Sequence, residues 1–322
     1  MAAGVLAACA KSAPDSASNP SANEQASASE NTQLPTAVNF GSFSVAVDYA
    51  PYLIAKNKGW FEEALGKEGI ETNYVTFQSL PPINEAFATD RVDVVFEAEP
   101  PAIIAKSAGI GVKIADISCV LVQEILVPTT SLARSAADLK GKKIAVLAGT
   151  SSHYGLINIL ETAGLSAGDV EIIDLVPPDA QGAFDSGQVD AWAVWPPFVE
   201  QAELSGTGRV LPRGDAYINS VVVVREKFAE QYPQVFTQIL EVVQTAKTWI
   251  QSNSEEAKQI VSEELDVPLE AVEKAWERHQ WDAQITEDII EDIQLKSDFF
   301  SQNGFIQNSV NAKELVDTAF SP

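Results

Sequence analysis

Residues 92–101 read Val92-Asp93-Val94-Val95-Phe96-Glu97-Ala98-Glu99-Pro100-Pro101, and residues 190–197 read Asp190-Ala191-Trp192-Ala193-Val194-Trp195-Pro196-Pro197. Each begins as a short apolar run of buried-strand length. Each ends at a Pro-Pro pair, which suits a helix start because proline lacks an N–H that the first turn would leave unpaired. Upstream of the first run, residues 38–43 and 71–77 read as strands. Helical stretches lie at 52–67, with a break at Gly59, and at 82–89. Upstream of the second run come a strand at 143–147, a helix at 151–163 closed by Gly164, a strand at 170–175 and a helix at 179–186. The likeness of the two series lies in element order, not in repeated residues. Two βαβαβ series predict an α/β protein of two Rossmann-like lobes, each with a mostly parallel sheet.

A strand at 218–224 and a helical C-terminal tail to Phe320 follow. Phe236, Ile239, Leu240, Val243 and Ala246 recur at helical spacing, and Trp249, Trp276 and Trp281 read as packing residues of this tail. A chain that builds one lobe, crosses to a second and returns encloses a cleft. The expected crossovers are 126–130 and 215–219, giving lobe 1 as 35–126 plus 219–322 and lobe 2 as 127–218. A ligand would sit in the cleft, at the C-terminal ends of the strands.

Of 322 residues, 46% are hydrophobic, enough for a full core. Against 21 Lys and Arg stand 45 Asp and Glu, a net charge of −24. That balance argues against nucleic acid and against docking on anionic lipid, both of which need clustered basic side chains. No apolar run approaches the ~18–20 residues of a membrane span. Two cysteines and two histidines, all far apart, exclude a Cys/His zinc cluster and a disulfide scaffold. Cys119, inside the apolar stretch 117–122, reads as a buried free thiol. No cofactor or metal is expected, and the chain is expected to be a monomer.

The N-terminus is Met1-Ala2-Ala3-Gly4-Val5-Leu6-Ala7-Ala8-Cys9. Leu6-Ala7-Ala8-Cys9 resembles the bacterial lipobox, which makes residues 1–9 a truncated signal and Cys9 the lipidation site. Residues 10–34, rich in Ala and Ser and free of aromatics, read as a flexible tether. The expected location is periplasmic or otherwise extracytoplasmic, with the membrane reached only through a lipid anchor.

Further motifs carry a resemblance. They are Pro51-Tyr52-Leu53-Ile54-Ala55 with Gly59-Trp60-Phe61, and Arg91-Val92-Asp93-Val94 followed by Glu97-Ala98-Glu99-Pro100-Pro101. Then come Ala137-Asp138-Leu139-Lys140-Gly141-Lys142-Lys143-Ile144-Ala145-Val146, Gly149-Thr150-Ser151-Ser152-His153-Tyr154, and Gly187 through Phe198. In order, over about residues 36–250, they resemble solute-binding proteins of ABC importers of the nitrate/sulfonate/taurine class. The resemblance implies a type 2 periplasmic-binding fold that closes on a small-molecule ligand by hinge motion, with permease and ATPase subunits on other chains.

Family ligands are often anions held at helix N-termini. The windows 44–52, 94–102, 120–127, 148–156 and 190–199, expected to face the cleft, instead contain Asp48, Glu97, Glu99, Glu124 and Asp190 and neither Lys nor Arg. Glu99 immediately precedes Pro100-Pro101, where it either caps the helix or meets an incoming cation. Glu97 lies one strand step away on the same face. Asp48 and Tyr49 follow the first strand. Trp195 offers an indole face beside the carboxylates. Thr150, Ser151 and His153 lie in a strand-to-helix turn that either binds a polar ligand or supplies an N-cap. Of Gln123 and Glu124, alternation lets only one face the cleft.

The expected ligand-binding set is therefore Asp48, Tyr49, Glu97, Glu99, Gln123, Thr150, Ser151, His153, Asp190 and Trp195. The expected ligand is a small nitrogen-rich cation such as guanidinium, which two carboxylates can hold by bidentate hydrogen bonds. Taurine, an alkanesulfonate or nitrate are the alternatives within the family. A cofactor-biosynthesis lyase on the same fold is the enzymatic alternative, against which the tether argues.

Overall fold

The computed structural model describes residues 34–43, 45–212 and 216–319. Cys9 and the 10–34 stretch lie outside the described residues, apart from Leu34. The strands in chain order are β1 (Ala37–Phe43), β2 (Glu71–Phe77), β3 (Val94–Ala98), β4 (Val112–Val122), β5 (Glu124–Pro128) and β6 (Lys143–Val146). They continue with β7 (Glu171–Asp174), β8 (Ala191–Val194), β9 (Gly208–Val210), β10 (Tyr217–Arg225) and β11 (His279–Gln280). A six-stranded sheet has the order β11-β4-β10-β3-β1-β2, and a five-stranded sheet the order β7-β6-β8-β5-β9.

Each sheet contains the parallel trio that the βαβαβ reading predicts. β1 pairs parallel with β2 and β3, and β6 pairs parallel with β7 and β8. The mostly parallel expectation needs correction beyond that trio. β10 runs antiparallel to β3 and β4, and β5 runs antiparallel to β8 and β9. These are the strands that carry the chain between sheets, so they enter from the opposite direction. β4 ends at Val122 and β5 begins at Glu124, so the first crossing is at Gln123 and not at 126–130. Leu126 already pairs with Trp192 in the second sheet. The return lies between Val210 and Tyr217, so Ile218 and Asn219, expected to be crossing, already belong to β10.

The local signals hold. Gly59, at φ +67°, separates the helix Ala50–Asn57 from the helix Trp60–Gly66. That left-handed conformation costs a β-carbon dear and glycine little. Pro100 and Pro101 fill the first turn of the helix Glu99–Ser107. In the long tail helix Pro233–Ser252, Phe236, Ile239, Leu240, Val243 and Ala246 are all buried.

Strand alternation divides the core. Ile125 and Val127 face a smaller apolar cluster with Ile144, Val146 and Leu160. Leu126, Trp192 and Val194 face the larger one, which continues through the first sheet and the tail helices. Two tail elements are stitched to the first sheet, since His279 and Gln280 pair with β4 and Val316 bridges to Ile114. Cys119 is a buried free thiol, with Sγ 3.7 Å from the Asp48 carbonyl oxygen.

Candidate functional site

The two sheets approach each other over a cavity of about 10 Å³, room for about one water. The first lobe supplies Phe43 at the end of β1, Asp48 and Tyr49 of the 3₁₀ turn Val47–Tyr49, and Pro101 of the Glu99–Ser107 helix. Leu121 and Ile218 add apolar wall from β4 and β10. The second lobe supplies Thr150, Ser151 and Trp195. The structure thus brings together five of the expected residues, Asp48, Tyr49, Thr150, Ser151 and Trp195. Trp195 spans the lobes. Its Nε1–H donates to the Val45 carbonyl at 2.9 Å, and its ring lies 5.8 Å from that of Phe43.

Thr150 is the N-cap of the helix Ser151–Thr162. Its Oγ1 accepts from the His153 N–H at 3.4 Å and donates to the Leu147 carbonyl at 2.7 Å. The N–H groups of the first turn have no partner further back in the helix, and the macrodipole adds to their positive potential. Ser151 brings this end of the helix to the cavity wall.

The other five expected residues are placed elsewhere. Gln123 and His153 brace this helix from behind. The Ser152 hydroxyl donates to Gln123 Oε1 at 2.9 Å, and Gln123 packs so closely on Gly155 that a β-carbon there would fall 2.4 Å from Gln123 Cβ. His153 Nδ1 accepts from the Gly149 N–H at 3.2 Å, and its ring meets Phe305 edge-on at 4.7 Å. Burial lowers the His153 pKa, which keeps the imidazole neutral.

Glu99 is neither a simple cap nor a free ligand carboxylate. It is fully buried, ion-paired with the fully buried Lys296, and accepts from the Asn219 N–H at 2.8 Å and Asn219 Nδ2 at 3.2 Å. Asp292 closes the network on Lys296 and Asn219. Burial pushes the Glu99 carboxyl up, but the partners named are all donors, an arrangement that the carboxylate alone satisfies. Burial works against the Lys296 ammonium, and the Glu99 and Asp292 charges outweigh it, raising its pKa. The expectation that Glu99 meets an incoming cation is therefore corrected, because Glu99 already holds Lys296.

Glu97 is buried behind the cavity wall, and Oε2 has no hydrogen-bond partner among the described residues. Burial raises its pKa to about 8, so at neutral pH it is mostly protonated. Asp190 is outside the site altogether. It precedes β8 and so sits at that strand's N-terminal end, where it accepts from the Lys143 N–H at 2.9 Å and pairs with Lys142 at 3.3 Å. Among the described residues Asp48 is the one carboxylic acid in the cavity wall. Burial, chiefly, raises its pKa to about 6; the Ser220 hydroxyl pulls the other way, and the Glu99 charge adds to the rise.

Sequence reasoning missed the apolar wall and the basic partners. Lys296 follows Ile293 by three and precedes Phe300 by four, on the buried stripe of the helix Glu287–Gln302. A lysine on such a stripe signals a buried anion, and that pattern could have found it. Arg278, another missed residue, joins the tail to the second lobe through Glu124 at 2.6 Å, Glu200 at 2.8 Å and Glu203 at 2.9 Å. Among the described residues no cluster of His, Cys, Asp and Glu could hold a metal, and no helix is long and apolar enough to cross a membrane.

Two α/β lobes, two crossings and a small cavity between strand ends are the architecture of the type 2 periplasmic class of binding protein, the solute-binding component of ABC importers. The chain belongs to the NMT1-like family, whose model matches residues 31–264. It is 36% identical over 277 residues to a Bacillus subtilis (strain 168) protein named as an aliphatic sulfonates-binding protein, covering 84% of this chain and 83% of the relative. It is 30% identical over 255 residues to an Escherichia coli (strain K12) protein of the same name, covering 73% and 78%. The fold matches the alkanesulfonate-binding protein SsuA from Xanthomonas axonopodis pv. citri bound to MOPS. The TM-score is 0.78 over 88% of this chain and 98% of that one, and at 24% identity this likeness speaks for the fold alone. These relatives are named as binding proteins, and the chain is a binding protein, not an enzyme.

Proposed function

We propose that this chain is the extracytoplasmic receptor of an ABC importer for short aliphatic sulfonates, with the sulfonate held at the start of the Ser151–Thr162 helix. The observation that carries this reading is the first turn of that helix at the interlobe cavity, with Thr150 and Ser151 in its wall. Free N–H groups, a hydroxyl and the helix dipole together favour an anion. The names of the relatives point the same way. In this reading the lobes separate for entry, close over the ligand and present it to a permease driven by an ATPase, with Cys9 and the 10–34 tether keeping the receptor at the membrane.

A second reading, a small cation such as guanidinium, is favoured by one observation. Asp48 lies in the cavity wall with no basic side chain paired to it among the described residues.

Calorimetric titration of the full chain with ethanesulfonate, taurine, nitrate and guanidinium chloride at constant ionic strength separates the readings. Sulfonate binding, weakened on the order of a hundredfold by Ser151→Asp, supports the anion site. Guanidinium binding with no response to either sulfonate overturns it.

A further inference from the structure

Most buried acids of this protein have a basic partner. Glu99 has Lys296, Asp116 has Lys247 at 3.2 Å, and Asp93 has Arg225. Glu124 and Glu200 share Arg278. Asp48 breaks the pattern. It is 4% exposed, forms no ion pair among the described residues, and shares the cavity wall with the apolar Phe43, Ala46, Leu121 and Ile218 and with Thr150 and Ser151, none of which carries a positive charge. A lone carboxylate in such surroundings is destabilising, and pairing with a cation removes the penalty.

Nothing else in the cavity wall competes for that role. The titratable groups that face Asp48 are Tyr49 on its own turn, Glu99 at the start of its helix and Cys119 of β4. Burial pushes the tyrosine and the thiol far up, so both stay neutral, and Glu99 is occupied by Lys296. Glu97, which faces Tyr49, is held mostly protonated by burial. Asp48 is then the cavity-wall acid that carries a charge at neutral pH, and it belongs to the first lobe. The helix start at Ser151 belongs to the second.

We infer that Asp48 is the partner of a positively charged nitrogen on the ligand, so that the site takes a short zwitterion bridging the lobes. This rests on the sulfonate reading for the anionic end. The ammonium meets Asp48 from one lobe, and the sulfonate meets the Ser151 helix from the other. Because each charge is read by a different lobe, only a molecule carrying both ties the closed state together electrostatically. A plain alkanesulfonate leaves Asp48 buried and unpaired on closure, which is a penalty against it.

The test titrates the full chain at pH 7.5 with taurine, ethanesulfonate and guanidinium chloride. Taurine is expected to bind at least about tenfold more tightly than ethanesulfonate, the scale of one charge-assisted hydrogen bond. Asp48→Asn should abolish that preference by weakening taurine while relieving the penalty on ethanesulfonate, which should bind no more weakly than it does to the native chain. Asp48→Glu, which keeps the charge, should retain part of it. The taurine preference should also fade below about pH 6 in the native chain, as Asp48 takes up a proton, and show no such dependence in Asp48→Asn. Equal affinities for the two sulfonates, or equal losses for both in a folded Asp48→Asn protein, overturn the inference. Guanidinium binding that is lost in Asp48→Asn, with neither sulfonate binding, keeps Asp48 as a cation partner and overturns the sulfonate reading instead.

Discussion

Replacing Lys296 by methionine removes the only basic partner named for Glu99. Both side chains are 0% exposed, so neither charge is reached by water. The variant leaves a carboxylate in the core with the two Asn219 donors at 2.8 and 3.2 Å as its remaining contacts, while Asp292, 39% exposed, can turn to solvent. Breaking one side of a buried pair typically costs about 3–5 kcal/mol. Lys296→Met should therefore lose that much in urea unfolding at pH 7.5, read from the midpoint at unchanged slope. Adding Glu99→Gln removes the stranded charge, and the double variant should regain most of the loss, with a coupling of about 2–3 kcal/mol. It should also bind ligand as the native chain does, since Glu99 does not line the cavity. A loss below about 1 kcal/mol, or single losses that simply add, would refute the view that Lys296 is what keeps Glu99 charged.

Gly155→Ala should destabilise by about 1–3 kcal/mol in the same assay, because the new β-carbon falls 2.4 Å from Gln123 Cβ and 2.7 Å from its Cγ. Arg278→Met strands the fully buried Glu200, so a loss of about 3–5 kcal/mol is expected at neutral pH. That loss should shrink on acidification as Glu200, whose pKa burial raises to about 7, takes up a proton. The native chain should itself become less stable as pH rises from about 5 to 8. Asp48, at about 6, and Glu97, at about 8, have folded-state pKa values above their ordinary ones, so the native state holds extra protons in this window. Their charging penalty is absent below the unfolded pKa and complete above the folded one. Thermal melts across pH should show the decline, and Asp48→Asn with Glu97→Gln should reduce it, leaving the share of Glu200, at about 7.

What could be read from the sequence was local. Gly59 as a break, Pro100-Pro101 as a helix start and the Phe236-to-Ala246 stripe depend on neighbours a few residues apart, and they stand in the structure. The motif order carried the fold class for the same reason. Electrostatic partnership was not legible, because it joins residues distant in the chain. Glu99 looks free until Lys296, 197 positions later, is folded against it. Asp190 failed on polarity of position. It begins its strand, whereas Trp195 follows the end, and only strand ends reach the cleft. The crossing at Gln123 was set one strand too late because β5 is apolar like its predecessor. Antiparallel entry into the second sheet leaves no mark on composition.

Trp195 gives the molecule a built-in optical gauge. Of six tryptophans, Trp192 packs within the second lobe against Phe184 and Phe198, while Trp60 with Trp249 and Trp276 with Trp281 form pairs. Trp195 alone among these is hydrogen-bonded across the cleft, to the Val45 carbonyl. On the proposed reading, in which the lobes part for ligand entry, its indole loses that bond and passes from an apolar clasp towards water, and its emission should shift to the red. That reading predicts that ligand capture can be followed in real time by the protein's own fluorescence, with Trp195→Phe as the dark control and no label attached.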